Sequence, residues 1–214
     1  MTQTTSSFDA LTAEYDAWFE KHRDLYFAEL EAVRGFIPAS GSGMEIGVGT
    51  GRFAVPLGIP LGVEPSPRMA ELARQRGVEV FEGMAETLPF ADCSFDFAVM
   101  VTVVCFFNNV AQAFREACRI LKPHGTLIIG FIDRESDLGK QYSRKKEQSQ
   151  FYRNASFHSV KELETLLTKA GFSSFAYRQT LLSGERTGLS VLEGYGRGGF
   201  VVIQAYKVAK RRQV

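Results

Sequence analysis

Between Glu45 and Gly51 the chain reads Glu-Ile-Gly-Val-Gly-Thr-Gly, with glycine at every second position directly after a short apolar run. Glycine reaches backbone conformations closed to other residues and lets a ligand approach the main chain. Gly47, Gly49 and Gly51 therefore mark a turn shaped around a bound group, with one carboxylate, Glu45, at its head. A second carboxylate, Glu64, ends the next apolar run, Leu61–Val63. Two phosphate-binding turns do not fit. The dinucleotide pattern G-x-G-x-x-G requires glycine at position 52, which is Arg52, and no Lys-Ser or Lys-Thr follows the glycines as a P-loop needs.

Other side chains able to do chemistry lie on either side of this turn. Tyr15, Trp18, Phe19, His22 and Tyr26 recur at spacings of three and four. Such a stripe is either the core face of a helix or, with Tyr15 and His22 as polar tips, part of a pocket wall. Cys105, Phe106 and Phe107 follow the most apolar run of the chain and are either strand-end core or pocket wall. Cys93, Cys105 and Cys118 are odd in number and share no metal-ligand spacing, which predicts free thiols in a reducing cytoplasm and no metal site.

These residues need elements to hold them. Apolar spacing predicts one N-terminal helix over 8–34, ended by Gly35 and Pro38. Met44–Val48, Leu61–Val63 and Val78–Phe81 read as strands, and Ser66-Pro67 opens a helix between the last two. Phe95–Val104 is the strongest signal of a buried strand. A helix over about Val110–Leu121, a turn at Lys122–Gly125 and a strand at Thr126–Ile132 follow. Ser136–Gln150 is polar and reads as a solvent-facing helix or a lid. Ser159-x-x-Glu162 has capping-box spacing before a helix ending at Gly171. Two late strands, Ser174–Leu182 and Phe200–Val208, are joined by a glycine-rich stretch with no helical pattern, which favours antiparallel pairing at one edge. Strands alternating with helices predict a doubly wound α/β fold: a mostly parallel, seven-stranded sheet with an antiparallel edge strand and an N-terminal helical cap.

Length and composition agree with one such unit. The chain has 214 residues, is 45% hydrophobic and carries a formal net charge of +1. That suits a single domain over 1–214: a helical cap at 1–38, a binding core at 40–132, a lid-like insertion at 133–158 and a C-terminal helix with edge strands at 159–214. A near-neutral balance predicts no nucleic-acid partner. The N-terminus lacks the layout of a secretory signal, and the longest apolar run, Phe97–Phe107, is too short to span a bilayer. The expected location is the cytoplasm, as a monomer or homodimer. The basic ending, Lys207–Arg212, reads as a solvated tail.

The glycine turn resembles the first motif of class I S-adenosylmethionine-dependent methyltransferases. Gly83–Met100, containing Leu-Pro-Phe and Phe-Asp, is similar to that family's adenine loop and fourth strand, and Leu121–Gly125 to the turn before its fifth. The resemblance implies S-adenosylmethionine as cofactor, set against Glu45, Gly47, Gly49 and Gly51. Glu64 takes the two ribose hydroxyls, as a carboxylate accepting from a vicinal diol would. Ala85 and Glu86 border the adenine, and Thr102 ends the fourth strand beside the cofactor. Trp18, Cys105, Phe106 and Phe107 become the substrate wall, and His22 and Tyr15 the residues to test for catalysis. Met84 stands where relatives often carry Asp, and the short crossover from Gly51 to Glu64 predicts a first helix of two turns at most. No Asn-or-Asp-Pro-Pro-aromatic motif and no Pro-Cys nucleophile follows the fourth strand, which points to a small, partly aromatic or apolar acceptor. A non-catalytic S-adenosylmethionine-binding protein and, further off, a dinucleotide-dependent oxidoreductase are the rival readings.

Overall fold

The computed structural model describes residues 8–183 and 190–209. The predicted tail beyond Ala209 and part of the glycine-rich connection fall outside them.

Among the described residues, eight strands form one sheet. They are β1 (Gly43–Ile46), β2 (Leu61–Glu64), β3 (Glu79–Glu82), β4 (Phe95–Val101), β5 (Leu121–Ile132), β6 (Phe172–Leu182), β7 (Leu192–Glu193) and β8 (Gly198–Lys207), in the spatial order β3-β2-β1-β4-β5-β8-β6-β7. The strands from β3 to β5 pair in parallel. The eighth strand, β7, is a two-residue addition to the predicted seven and hangs on the outer edge of β6. The antiparallel strand β8 inserts between β5 and β6 and pairs with both. Phe200, Val201, Val202 and Ile203 of β8 are completely buried, a burial that an outermost strand, with one ladder open, would not give them.

Side chains alternate across the sheet with the period of two that a strand imposes. In β4, Ala98 and Met100 face one core, together with Phe114 and Ile120 of α5 (Val110–Ile120) and Leu163 and Leu167 of α7 (Val160–Ala170). Phe97, Val99 and Val101 face the other core. There they meet Leu30 and Val33 of α2 (Arg23–Arg34) and Ala70 and Ala73 of α4 (Pro67–Gln75). Helices on both faces make the fold doubly wound.

Local signals set several element ends. Ser66 accepts from the Met69 N–H with Pro67 in the first turn of α4, and Ser159 and Glu162 form a reciprocal capping box on α7. The crossover helix α3 (Ala54–Leu57) is one turn long and closes on Gly58 in the left-handed region.

The predicted single N-terminal helix is two. α1 (Thr12–Lys21) and α2 meet at His22, whose φ of −122° and ψ of 44° leave the helical region. The apolar spacing runs through the break unchanged, so periodicity does not reveal it. The two helices have different partners: α2 buries Leu30 and Val33 against the sheet, while α1 carries Tyr15 and Phe19 to the glycine turn. α6 (Asp137–Lys145), capped by Ser136, occupies the polar stretch read as helix or lid.

Candidate functional site

All three glycines of the opening turn adopt positive φ, at 75°, 55° and 83° for Gly47, Gly49 and Gly51, but for three different reasons. The turn starts where the N–H groups of Gly47 and Val48 both donate to the Val63 carbonyl, at 2.8 and 3.0 Å. At Gly47 a Cβ would lie 2.4 Å from Val103 Cγ2, so neighbouring side chains exclude any residue larger than glycine. At Gly49 the nearest atoms to such a Cβ are Tyr15 Cε1 and Oη, each at 3.7 Å. That is ordinary contact, and Gly49 faces open space beneath Tyr15. Gly51 turns away, and a Cβ there would lie 3.4 Å from Ala73 of α4.

The open space is a cavity of about 450 Å³ at the carboxyl ends of β1, β2 and β4. Such ends are the usual ligand position in a doubly wound sheet. Gly47, Gly49 and Glu64 line one part of it. Glu64 is buried and accepts from the Gly49 N–H through Oε2 and from the Ser66 N–H through Oε1, both at 2.9 Å. Burial raises its pKa to about 7, and the two N–H groups pull the other way. Glu45 is also buried but lies beneath the turn rather than on the cavity wall. Burial pushes its pKa well up, against the pull of the Ala54 main chain, and its Oε2 has no partner among the described residues.

Ala85, Glu86 and Thr102 line the cavity as well. Glu86 Oε1 accepts from the Asn108 and Asn109 N–H groups, at 2.8 and 3.1 Å, while its buried Oε2 has no partner among the described residues. Thr102 sits just past β4 with φ of 51°, held by a 2.8 Å hydrogen bond from its N–H to the Gly130 carbonyl. A non-glycine residue at positive φ is strained and marks a position over-determined by its surroundings.

The far side is aromatic. Tyr15, Trp18, Phe106 and Phe107 line it as singled out from the sequence. Two other singled-out residues lie elsewhere. His22 is exposed at the break between α1 and α2, its ring 4.8 Å from that of Trp18, and does not line the cavity. Cys105 turns toward a second, much smaller void of about 10 Å³ beside Phe157 and His158, and burial raises its thiol pKa to about 12. The structure adds Phe8, Tyr142, Phe151 and Tyr152 to the aromatic wall, with Leu138 beside them, so α6 and the residues after it line the cavity. It also adds Glu29, buried at 5% exposure, whose pKa burial lifts to about 8. Glu29 was detectable. It lies four residues after Leu25 and four before Val33 on the buried face of α2, where an apolar residue belongs.

Residues 44–129 match the model of a methyltransferase domain. A crystal structure from Thermotoga maritima, of a "SAM-dependent methyltransferase, possible histamine N-methyltransferase", is 54% identical, covers 94% of this chain and 99% of its own, and superposes with a TM-score of 0.91. A protein of Methanocaldococcus jannaschii is 45% identical over 203 residues, 94% of this chain and 98% of its own length. The chain belongs to the class I S-adenosylmethionine-dependent methyltransferases. Its cofactor is S-adenosylmethionine. Among the described residues no helix is long and apolar enough to cross a membrane.

In this methyltransferase the cap is tied to the glycine turn by charges that sequence reading missed. Asp16 of α1 accepts from Arg52 (2.6 and 2.9 Å), from Arg76 at the end of α4 (two bonds of 2.7 Å) and from the Thr50 hydroxyl (2.7 Å). Arg52 thus has its own task at the position where a dinucleotide turn needs glycine. Burial alone would raise the Asp16 pKa, but the bonds from Arg76, Arg52 and Thr50 outweigh it and hold the carboxyl far below its usual range. Asp16→Asn is expected to lower stability by about 1–3 kcal/mol at pH 7, since two guanidinium groups lose their shared counter-ion. A depressed native pKa gives stability that is present above about pH 3.9 and fades below it. In urea titrations the difference between wild type and variant should therefore shrink as the pH falls below about 4. A difference that stays constant would mean the Asp16 charge contributes nothing.

Proposed function

We propose that this methyltransferase moves the methyl group of S-adenosylmethionine onto a small molecule held in the aromatic half of the cavity. The observation that carries the reading is the division of one cavity into two chemically different parts. One wall has bare backbone at Gly47 and Gly49 with the carboxylates of Glu64 and Glu86, and the other is built of aromatic rings from α1, α6 and the segment after β4. The volume, about 450 Å³, lies in the range of small-molecule sites.

The residues present suit the cofactor. Gly49 opens a cradle that a side chain would fill, and Glu86 Oε2 is a buried acceptor without a partner among the described residues. Gly47, Gly49 and Glu64 would hold the methionine and ribose parts, with Ala85, Glu86 and Thr102 beside the adenosine. Gly51 and Glu45 would act from behind, by shaping the turn. When bound, S-adenosylmethionine supplies a methyl group already activated on a sulfonium. The protein's own work is then to orient an acceptor in line with that methyl and to exclude water, which is catalysis by proximity. Tyr15, packed over Gly49, is placed to cover the reacting region. His22 is too far round the helix break to be carried forward as a base. The Thermotoga maritima relative is described as a "possible histamine N-methyltransferase", which makes small amines the first class to try.

Calorimetric titration with S-adenosylmethionine, S-adenosylhomocysteine and NAD should show micromolar binding of the first two and none of the third. A methyl-transfer assay across amine, phenol, thiol and carboxylate acceptors should then show turnover. Cofactor binding with no turnover on any acceptor would favour a non-catalytic S-adenosylmethionine-binding protein. Glu64→Ala is expected to weaken cofactor binding by about 1.5–3 kcal/mol, because it removes a charged acceptor and also the group that anchors the Gly49 N–H. Unchanged affinity would leave Glu64 with a purely structural part.

A further inference from the structure

A buried carboxylate without a partner is costly, and one placed on a cavity wall is a strong indication of what enters there. Glu29 is 5% exposed, lines the cavity and makes no hydrogen bond or ion pair among the described residues. It reaches the cavity among hydroxylated rings. Burial holds Tyr142, Tyr152 and Tyr15 above the usual phenol range; the Glu29 charge comes next for Tyr142 and contributes behind other neighbours for Tyr152 and Tyr15. Tyr142 and Tyr152 have ring centroids 5.2 Å apart, and Phe106 stacks on Tyr152 at 5.9 Å. Aromatic faces attract cations, and together with an unpaired carboxylate they form a receptor for an organic cation. A neutral acceptor would leave Glu29 protonated and draw nothing from its charge, and an anionic one would be repelled by the ionised form.

The other charges nearby do not fill this need. Glu64 and Glu86 are engaged with backbone N–H groups in the other half of the cavity. Asp137 and Arg197 line the cavity, and neither forms an ion pair with Glu29. Arg178, on the β6 strand beneath α2, is stacked over Phe36 beyond the far end of that helix.

We propose that Glu29 is the acceptor-selecting residue of this site, pairing through its carboxylate with a protonated nitrogen of an amine whose remaining part lies against Tyr142, Tyr152 and Phe106; the methyl group would go to a different, unprotonated atom of that molecule, because an ammonium nitrogen has no lone pair with which to attack. This rests on the methyltransferase reading above and names the chemical class of its acceptor. In the empty site Glu29 is held mostly protonated at neutral pH by its burial. An amine of ordinary basicity arrives as an ammonium ion, so the pair forms as Glu29 gives its proton to solvent. Binding should therefore release close to one proton at pH 6.5.

The test uses the full chain saturated with S-adenosylhomocysteine and a panel of alkyl and aryl-alkyl amines, histamine and 2-phenylethylamine among them, each beside its neutral alcohol. Calorimetry in buffers of different ionisation enthalpy reads both affinity and proton release. At least one amine should bind ten or more times more tightly than its alcohol, with release of close to one proton. In Glu29→Gln the amine should lose at least tenfold in affinity and the release should vanish, with alcohol affinity within twofold of wild type. Glu29→Asp, which keeps the charge, should retain part of the preference and guards against a misfolded Gln variant. A panel in which no amine exceeds its alcohol, or a preference that survives Glu29→Gln, overturns the proposal. Failure to bind S-adenosylhomocysteine at the outset would instead strike the function proposed above.

Discussion

Gly49→Val is expected to abolish S-adenosylmethionine binding in a protein that still folds. Gly49 has φ of 55°, where a β-branched residue is strained by about 1–2 kcal/mol. The built Cβ meets no backbone, only the Tyr15 ring edge and hydroxyl at 3.7 Å, so the fold can tolerate it. Its two methyl groups, however, would project into the space under Tyr15 and displace the cofactor from the turn. The strained turn would also disturb the N–H that Glu64 holds. Binding should fall by about 10³-fold or more, roughly 4 kcal/mol, while the melting temperature by circular dichroism drops by only several degrees. The neighbouring glycines provide the contrast. Gly47→Val drives a Cβ to 2.4 Å from Val103 and should damage folding itself, whereas Gly51→Ala makes only ordinary contact with α4 outside the cavity and, strained at φ of 83°, should cost stability more than affinity. Micromolar cofactor binding by folded Gly49→Val would show that the turn is not where the cofactor lies.

The methyltransferase without its cofactor should lose stability as the pH rises from about 5 to 9, with Glu29 a large contributor. Burial lifts the Glu29 pKa to about 8, whereas an unfolded glutamate titrates near 4.3. Between these values the folded state holds a proton that the unfolded state has lost. Stability therefore falls as pH rises through this window, and below it there is no effect. A gap of three to four units corresponds to about 4–5 kcal/mol by pH 9. Glu64, raised to about 7, and Glu45, raised further by burial, act in the same direction. Asp16, held low, acts in the opposite one at acid pH. The empty protein should thus be most stable near pH 4–6. Unfolding free energies of wild type and Glu29→Gln should differ by a constant offset at low pH and diverge in favour of the variant above pH 5. A difference independent of pH between 5 and 9 would mean that Glu29 is ionised in the empty site and that its burial is relieved in some other way.

What the sequence by itself determined is what neighbours along the chain decide. The β4 run, Phe95–Val101, is a strand because its apolar residues leave no polar face for a helix. Ser66-Pro67 and Ser159-x-x-Glu162 start helices because their caps are made within three residues. The glycine turn was readable because positive φ excludes most other residues whatever surrounds them. These local constraints, taken in order, were enough for the fold class, while the cofactor was legible through the resemblance of the glycine turn and the motifs after it to a known family.

The rest depended on contacts between distant segments. The position of β8 between β5 and β6 is a matter of pairing over some seventy residues, and no pattern within the strand states its neighbours. The break at His22 leaves the apolar spacing intact, and only the separate partners of α1 and α2 show why one helix became two. Asp16 meets Arg52 and Arg76 across 36 and 60 residues. Cys105 and His22 have side chains suited to chemistry but face away from the cavity, while Glu29, an ordinary charge in the sequence, faces into it. Backbone conformation answers to nearest neighbours, but the direction a side chain faces, and the charge it then meets, exist only once the sheet and its helices have packed.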